Sequence, residues 1–274
     1  MIEDDSQAVE HDGFVVVLDV LGMRGVWSTE NPREIVRRWT ALYEMVANTS
    51  PTDELYEKIL PQATGRSAPG LRTRYLSFAD SFAILLDTRG HTLENFLRLS
   101  NDLAKIFMTA IDGGFLFRGA VAAGKFYSLE DFDFYIGPAA DDAAHWYDKA
   151  NWAGIILTPS TGEMLDAALT VDAMQGANFR RWRVPLKCPG PDTMWAIDWP
   201  RDDKRRESIL ARFNRNENDL RVRTKRDATL AFYDTAVEEI REKFRQAARK
   251  YEAEHPGRRA YEGSTYRPWE TRPP

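Results

Sequence analysis

The sequence predicts an α/β (α+β) sandwich, a central mixed sheet flanked by helices, with a helical extension at the C-terminus. Three observations carry this. Short runs dense in β-branched residues alternate with stretches whose apolar residues recur every three or four positions. Their order is β-α-β-β-α-β followed by more α and β, which is ferredoxin-like with additions. After Pro200 the composition turns charged and helix-favouring.

Each element has its own signal. The opening "MIEDDSQAVEHD" is polar and acidic, so residues 1–12 are expected to be disordered. "FVVVLDVLG" has the density of a buried central strand. A helix is expected from Arg24 to Asn48, with Ile35, Trp39, Leu42, Tyr43 and Val46 on one face; Ser50 and Pro51 end it. Residues 51–70 form a connection containing Pro and Gly. "LRTRYLSFADSFAILLD" reads as two strands reversing near Ala79–Ser81. Phe96, Leu99, Leu103, Phe107 and Ile111 mark a helix over 93–112, stopped by Gly113 and Gly114. "FLFRGAVAAGKFY" and "FDFYIG" are strands, and Pro138 opens a helix running to Ala150. "GIILTP" is a strand, and a helix follows near 160–168. "RRWRVPLK" and "TMWAIDWP" flank the turn "CPGPD" as a terminal hairpin. The main domain thus spans 13–200, a helical extension 201–254, and a disordered tail 255–274.

Composition narrows the function. The 274 residues are 43% hydrophobic and 29% charged, with a net charge of −5. No global basic field favours nucleic acid or a membrane surface, so neither is expected as a partner. Cys188 is the only cysteine, which excludes an intrachain disulfide. No signal peptide or membrane span is legible, and a cytoplasmic location is expected.

Two acids stand out because they interrupt apolar strands: Asp19 in "FVVVLDVLGMRG" and Asp80 in "YLSFADSFAILLD". A single acid at a strand end is often a turn or cap residue. Two of them brought together repel unless a cation intervenes, and hard oxygen ligands select magnesium or manganese. After Asp19, Gly22 and Gly25 lie between strand and helix, where backbone N–H groups can approach a phosphate.

These segments resemble class III nucleotidyl cyclases. "FVVVLDVLGMRG" is similar to their first-strand motif, and "LSFADSFAIL" to their second metal-binding hairpin. "FRGAVAAGKFY" followed by "YIGPAADDAAHWYDKAN" resembles their later strand and Gly-led helix. "VPLK" and "AIDW" look more like the pyrimidine cyclases of bacterial Pycsar anti-phage systems. The resemblance makes 13–200 a cyclase domain and gives two Mg²⁺ or Mn²⁺ ions per site, held by Asp19, Asp80 and the Val20 carbonyl. It implies attack of a ribose 3′-hydroxyl on the α-phosphate, with release of pyrophosphate and closure of a 3′,5′-cyclic monophosphate. It places Gly22, Met23 and Arg24 against the substrate. It also implies a homodimer with interfacial sites.

The sequence departs from that family where the Gly-led helix ordinarily carries Asn and Arg; aligned from Gly137, those positions are Asp141 and His145. A neutral histidine stabilises charge less well than a guanidinium. Arg118 and Lys149 are candidates for the missing positive charge, each with a plain structural alternative: an ion pair for Arg118, a solvated helix face for Lys149. Where adenylate cyclases read adenine with Lys and Asp, this chain has Leu76 and Phe134. The expected substrate is therefore a pyrimidine nucleoside triphosphate. Arg72, Arg74 and Tyr75 could reach the base edge, and arginine availability favours UTP over CTP. Alternatives are a purine cyclase or a non-catalytic nucleotide-binding dimerisation module. Trp27 and Trp39 are expected on the core face of the first helix, the mixed-charge stretch 203–227 as a helix packed on the sheet or on a dimer partner, and no histidine spacing suggests zinc.

Overall fold

Thirteen consecutive residues, Ala8–Val20, form strand β1, and its second half, holding the valine run, is buried throughout. The computed structural model describes residues 8–23, 26–49, 72–129, 134–169, 178–213 and 218–255. β1 begins at Ala8, so residues 8–12, expected to be disordered, instead extend the strand. They do so because β4 (Phe117–Leu129) is equally long and pairs along its whole length. On its other side β1 pairs with β3 (Ser81–Asp87), which turns back antiparallel on β2 (Arg72–Phe78). With neighbours on both sides and apolar groups on both faces, β1 reads as a continuous hydrophobic run.

Beyond β4 lie β6 (Gly154–Leu157), β8 (Met194–Ile197) and β7 (Phe179–Trp182), and the short β5 (Tyr135–Ile136) pairs with the far part of β4. The β4–β6 pair is parallel and the others antiparallel, giving a mixed eight-stranded sheet. Its β2-β3-β1-β4 portion has the ferredoxin-like order expected. The terminal hairpin is present as β7 and β8.

The first helix is two: a single-turn α1 (Val26–Thr29) and α2 (Pro32–Thr49). Pro32 explains the break, since it disfavours helical geometry in the residue before it. Asn31 then caps α2, its Oδ1 accepting from the Arg33 N–H at 2.9 Å. Trp39 stacks on Phe82 at 4.9 Å, as expected of a core-facing residue. Trp27 does not: on the short α1 it is 60% exposed. Helix α3 (Leu93–Asp112) matches its expected span. Helix α4 (Pro138–Trp146) ends four residues before Ala150, and α5 (Pro159–Ala168) follows β6. The extension supplies α6 (Arg206–Phe213) and the 35-residue α7 (Leu220–Glu254). The expected connection over 51–70 and the tail from 256 lie outside the described residues.

The two faces of the sheet are unequally covered. One carries the main core, in which α2, α3, α5, α6 and α7 pack through residues such as Leu42, Phe96, Phe107, Leu165, Ile209 and Phe232. Opposite is a small cluster of Val15, Val17, Leu85, Ala122 and Phe126 under Ala139 and Ala143 of α4. At the β5 end, His11 bridges three strands, meeting Asp87 at 3.0 Å and Ser128 at 2.8 Å. No helix among the described residues is long and apolar enough to cross a membrane.

Candidate active site

The other end of the sheet gathers the acids. Asp19 is the penultimate residue of β1, and Asp80 lies in the two-residue turn joining β2 to β3. The Val20 N–H donates to the Asp80 carbonyl at 2.9 Å, so the two acid-bearing turns are tied together through their backbones. Ala79, just before Asp80, takes φ 54°, a left-handed geometry that costs an alanine about 1 kcal/mol or more. Gly22 sits in the turn after β1 at φ 86°; a Cβ there would meet nothing, so the backbone angle alone calls for glycine.

Arg118 faces Asp19 directly across the β1–β4 register, and its Nε donates to Asp19 Oδ2 at 2.7 Å. Its Nη1 donates to the Asp148 carbonyl at 3.2 Å. Burial pushes the Asp19 carboxyl above its ordinary value; Arg118 opposes this, and the charge of Asp80 adds to it. Asp19 and Asp80 thus sense one another, with Arg118 as the resident cation. Among the described residues no three His, Cys, Asp or Glu side chains converge as a metal-ligand set. Two carboxylates are nonetheless a fitting donor set for magnesium that arrives with a triphosphate, since that ion characteristically takes one or two carboxylates and completes its shell with phosphate oxygens and water.

The remaining residues divide. Leu76 is half-buried on β2 against the small cluster, on the same strand face as Arg74 two residues earlier. Tyr75 points the other way and packs against the main core. Phe134 is 45% exposed, whereas Tyr135 packs against the cluster with Leu76. Met23 packs partly into the main core. Arg24, Gly25 and the side chain of Arg72 lie outside the described residues. Gly137 starts α4 at φ 127°, and a Cβ there would crowd Phe126 Cα at 3.0 Å. Asp141 and His145 are exposed on the side of α4 away from Ala139 and Ala143. Lys149 follows the end of α4 and is not on a helix face: it touches His145 Nε2 and lies 4.5 Å from the centre of the Trp146 ring.

Three groups near the acids were not foreseen. Tyr147 has its hydroxyl pKa raised by burial and then by Asp19, with Asp80 contributing. Lys187, in the turn before β8, reaches Asp148 Oδ2 at 3.4 Å and acts electrostatically on Asp19. Lys225, on α7, lies within the fields of Arg118, Lys187 and Asp19. Lys187 was visible within "VPLKCPG", as a cation beside a turn. For Lys225 the only signal was a basic helix of mixed charge.

No family model matches the sequence, and no curated protein matches it. Solved structures similar to it include the guanylyl cyclase Cya2, at 12% identity and a TM-score of 0.44, covering 69% of this chain and 93% of that one. The catalytic core of a rhodopsin-guanylyl cyclase with converted specificity, in complex with ATPαS, shares 12% identity at a TM-score of 0.45, covering 70% and 98%. The adenylyl cyclase CyaB from P. aeruginosa shares 11% at 0.44, covering 70% and 95%. What this chain does has to be read from its own side chains.

Proposed function

We propose that this chain is a metal-dependent nucleotidyl cyclase that converts a pyrimidine nucleoside triphosphate, UTP before CTP, into its 3′,5′-cyclic monophosphate and pyrophosphate. The observation that carries the proposal is the tie between the Asp19 and Asp80 turns, made by the Val20–Asp80 backbone bond. It keeps Asp19 and Asp80 at one sheet end, where burial and then the Asp80 charge disfavour the ionised form of Asp19 while Arg118 opposes them. Asp19, Asp80 and the Val20 carbonyl would hold Mg²⁺ or Mn²⁺, which when bound lowers the pKa of the ribose 3′-hydroxyl and neutralises triphosphate oxygens. Arg118, displaced from Asp19, would be free to pair with phosphate oxygens. The turn at Gly22 and Met23 offers backbone N–H groups to the same anion.

Substrate choice follows from what lines the route to the acids. Leu76 offers no hydrogen bond to a purine edge and continues the apolar floor of Val15, Val17 and Leu85. Arg74, on the same face of β2, would donate to a carbonyl of uracil. Tyr135 narrows the space beside Leu76. By its likeness in motif to Pycsar cyclases, the product would act as an anti-phage signal. Exposed Asp141 and His145 would serve the site of a second copy, making the working form a homodimer.

The test is incubation of the purified chain with each of the four ribonucleoside triphosphates and Mn²⁺, with products identified by mass spectrometry. Cyclic UMP from UTP is expected. Product from ATP alone overturns the pyrimidine assignment, and no product from any of the four leaves a nucleotide-binding module, the reading favoured by Asp141 and His145. Asp19→Ala and Asp80→Ala should each abolish turnover in a folded protein; activity in either removes the metal assignment.

A further inference from the structure

We propose that Lys225, on the C-terminal helix α7, binds the polyphosphate of the nucleotide in the site of its own chain, so that the extension completes the phosphate subsite. This rests on the reading above of this sheet end as a nucleotide site. The geometry begins at β6, where Gly154 is the register partner of Arg118. The residue before it, Ala153, donates its N–H to Thr229 Oγ1 at 2.8 Å, and that hydroxyl donates to the Lys225 carbonyl at 2.7 Å. Thr229 is fully buried, and Lys225 lies one helical turn before it. The helix is held in this position by Phe232 and Tyr233, both buried, with Phe232 edge-on to Trp152 at 4.7 Å. A packed element therefore holds the Lys225 backbone one helical turn from the contact with Ala153, at the sheet end of Arg118, whose charge acts on the Lys225 ammonium.

Its charge has no partner there. Arg118 holds Asp19 and Lys187 reaches Asp148, whereas Lys225 makes no ion pair among the described residues. It is half-buried, and the larger charges acting on it are those of the two cations Arg118 and Lys187, with Asp19 and Asp219 weaker opponents. Placing an ammonium among cations away from full solvent is unfavourable unless an anion joins them. A lysine suits a terminal phosphate because it acts as a mobile point charge with three donors. Polyphosphate, rather than the base or ribose, is the part of the substrate with charge enough to satisfy three cations at once.

The experiment titrates inorganic tripolyphosphate with Mg²⁺, and separately UMP, into the full chain and its Lys225→Ala, Lys225→Gln and Lys225→Arg variants by calorimetry. Lys225→Ala should weaken tripolyphosphate about tenfold or more, the value of one lost charge-assisted contact, and leave UMP affinity unchanged. Lys225→Arg should restore most of the loss. In turnover, KM for the triphosphate should rise by a similar factor with kcat little changed, as for a contact made equally in ground and transition states. If Lys225→Ala fails to fold, Lys225→Gln carries the comparison, since it keeps a long polar side chain. Unchanged tripolyphosphate affinity, no tripolyphosphate binding by the wild type, or an equal loss for UMP overturns the proposal. If the wild type makes no cyclic product but Lys225→Ala still weakens tripolyphosphate selectively, the phosphate subsite stands and the cyclase reading falls. If the wild type cyclises and the variant binds tripolyphosphate normally, this inference falls alone.

Discussion

Two buried acids, Asp19 and Asp102, show how much a residue's meaning depends on what faces it. Asp19 meets Arg118 across a strand pair at 2.7 Å, while Asp102, on α3, has Lys105 Nζ only at 3.9 Å and Arg98 as a weaker influence. Burial therefore dominates at Asp102 and lifts its carboxyl from 3.8 to about 6. The protonated form fits the fold better than the ionised one. Its contribution to stability is then complete below about pH 4 and is lost as pH rises through about 6. Asp102→Asn should remove that loss, leaving stability unchanged at pH 4 and raising it by up to about 3 kcal/mol at pH 7.5. Urea unfolding of both proteins from pH 4 to 8 measures the difference. A constant difference across that range would refute the assignment. Nothing in sequence marked Asp102, because the residues that desolvate it come from α3 and from whatever packs on it.

At the scale of elements, local chemistry was legible and distant registration was not. The helix over 93–112 and the reversal at Ala79 follow from periodicity and turn residues within a few positions. The Arg118–Asp19 pair joins residues 99 apart, and no periodicity encodes which residue of β4 falls opposite which residue of β1. The alternatives for Arg118, ion pair or function, stayed level in sequence for that reason. Helix α7 repeats the lesson: its charges and apolar spacing announced a packed helix, but not that Phe232 would lie among Trp152, Trp182 and Trp199. That docking makes the extension part of the fold. Phe232→Ala should cost about 3–5 kcal/mol, a large fraction of a typical domain's stability, as read by urea denaturation. Because Lys225 rides on the same helix, tripolyphosphate affinity should drop with it. A loss under 1 kcal/mol would show that α7 is only loosely attached.

For the molecule as a whole, the unequal coverage of the sheet sets what one copy can do alone. Among the described residues the main-core face is covered by α2, α3, α5, α6 and α7, but the Asp19 face carries only the nine-residue α4 and a small apolar cluster. At its margin, Phe134 and Ile136 remain 45% and 51% exposed. Within one chain Arg118, Lys187 and Lys225 gather around Asp19, whereas Asp141 and His145 are turned to solvent on α4. The working dimer proposed above brings such outward groups to the acids of a second copy across this open face, and the exposed side chains of β5 would be covered in doing so. An aspartate introduced at Ile136 would then be desolvated at the interface without disturbing a core that Ile136 does not enter. Ile136→Asp should therefore sediment as a folded monomer at concentrations where the wild type is a dimer, with a urea midpoint lowered only by the lost association and with turnover lost. Sedimentation velocity, urea denaturation and the cyclic-product assay on the same preparations read all three. A monomeric variant that still cyclises would show that each chain holds a complete site; a dimeric one would place the interface elsewhere.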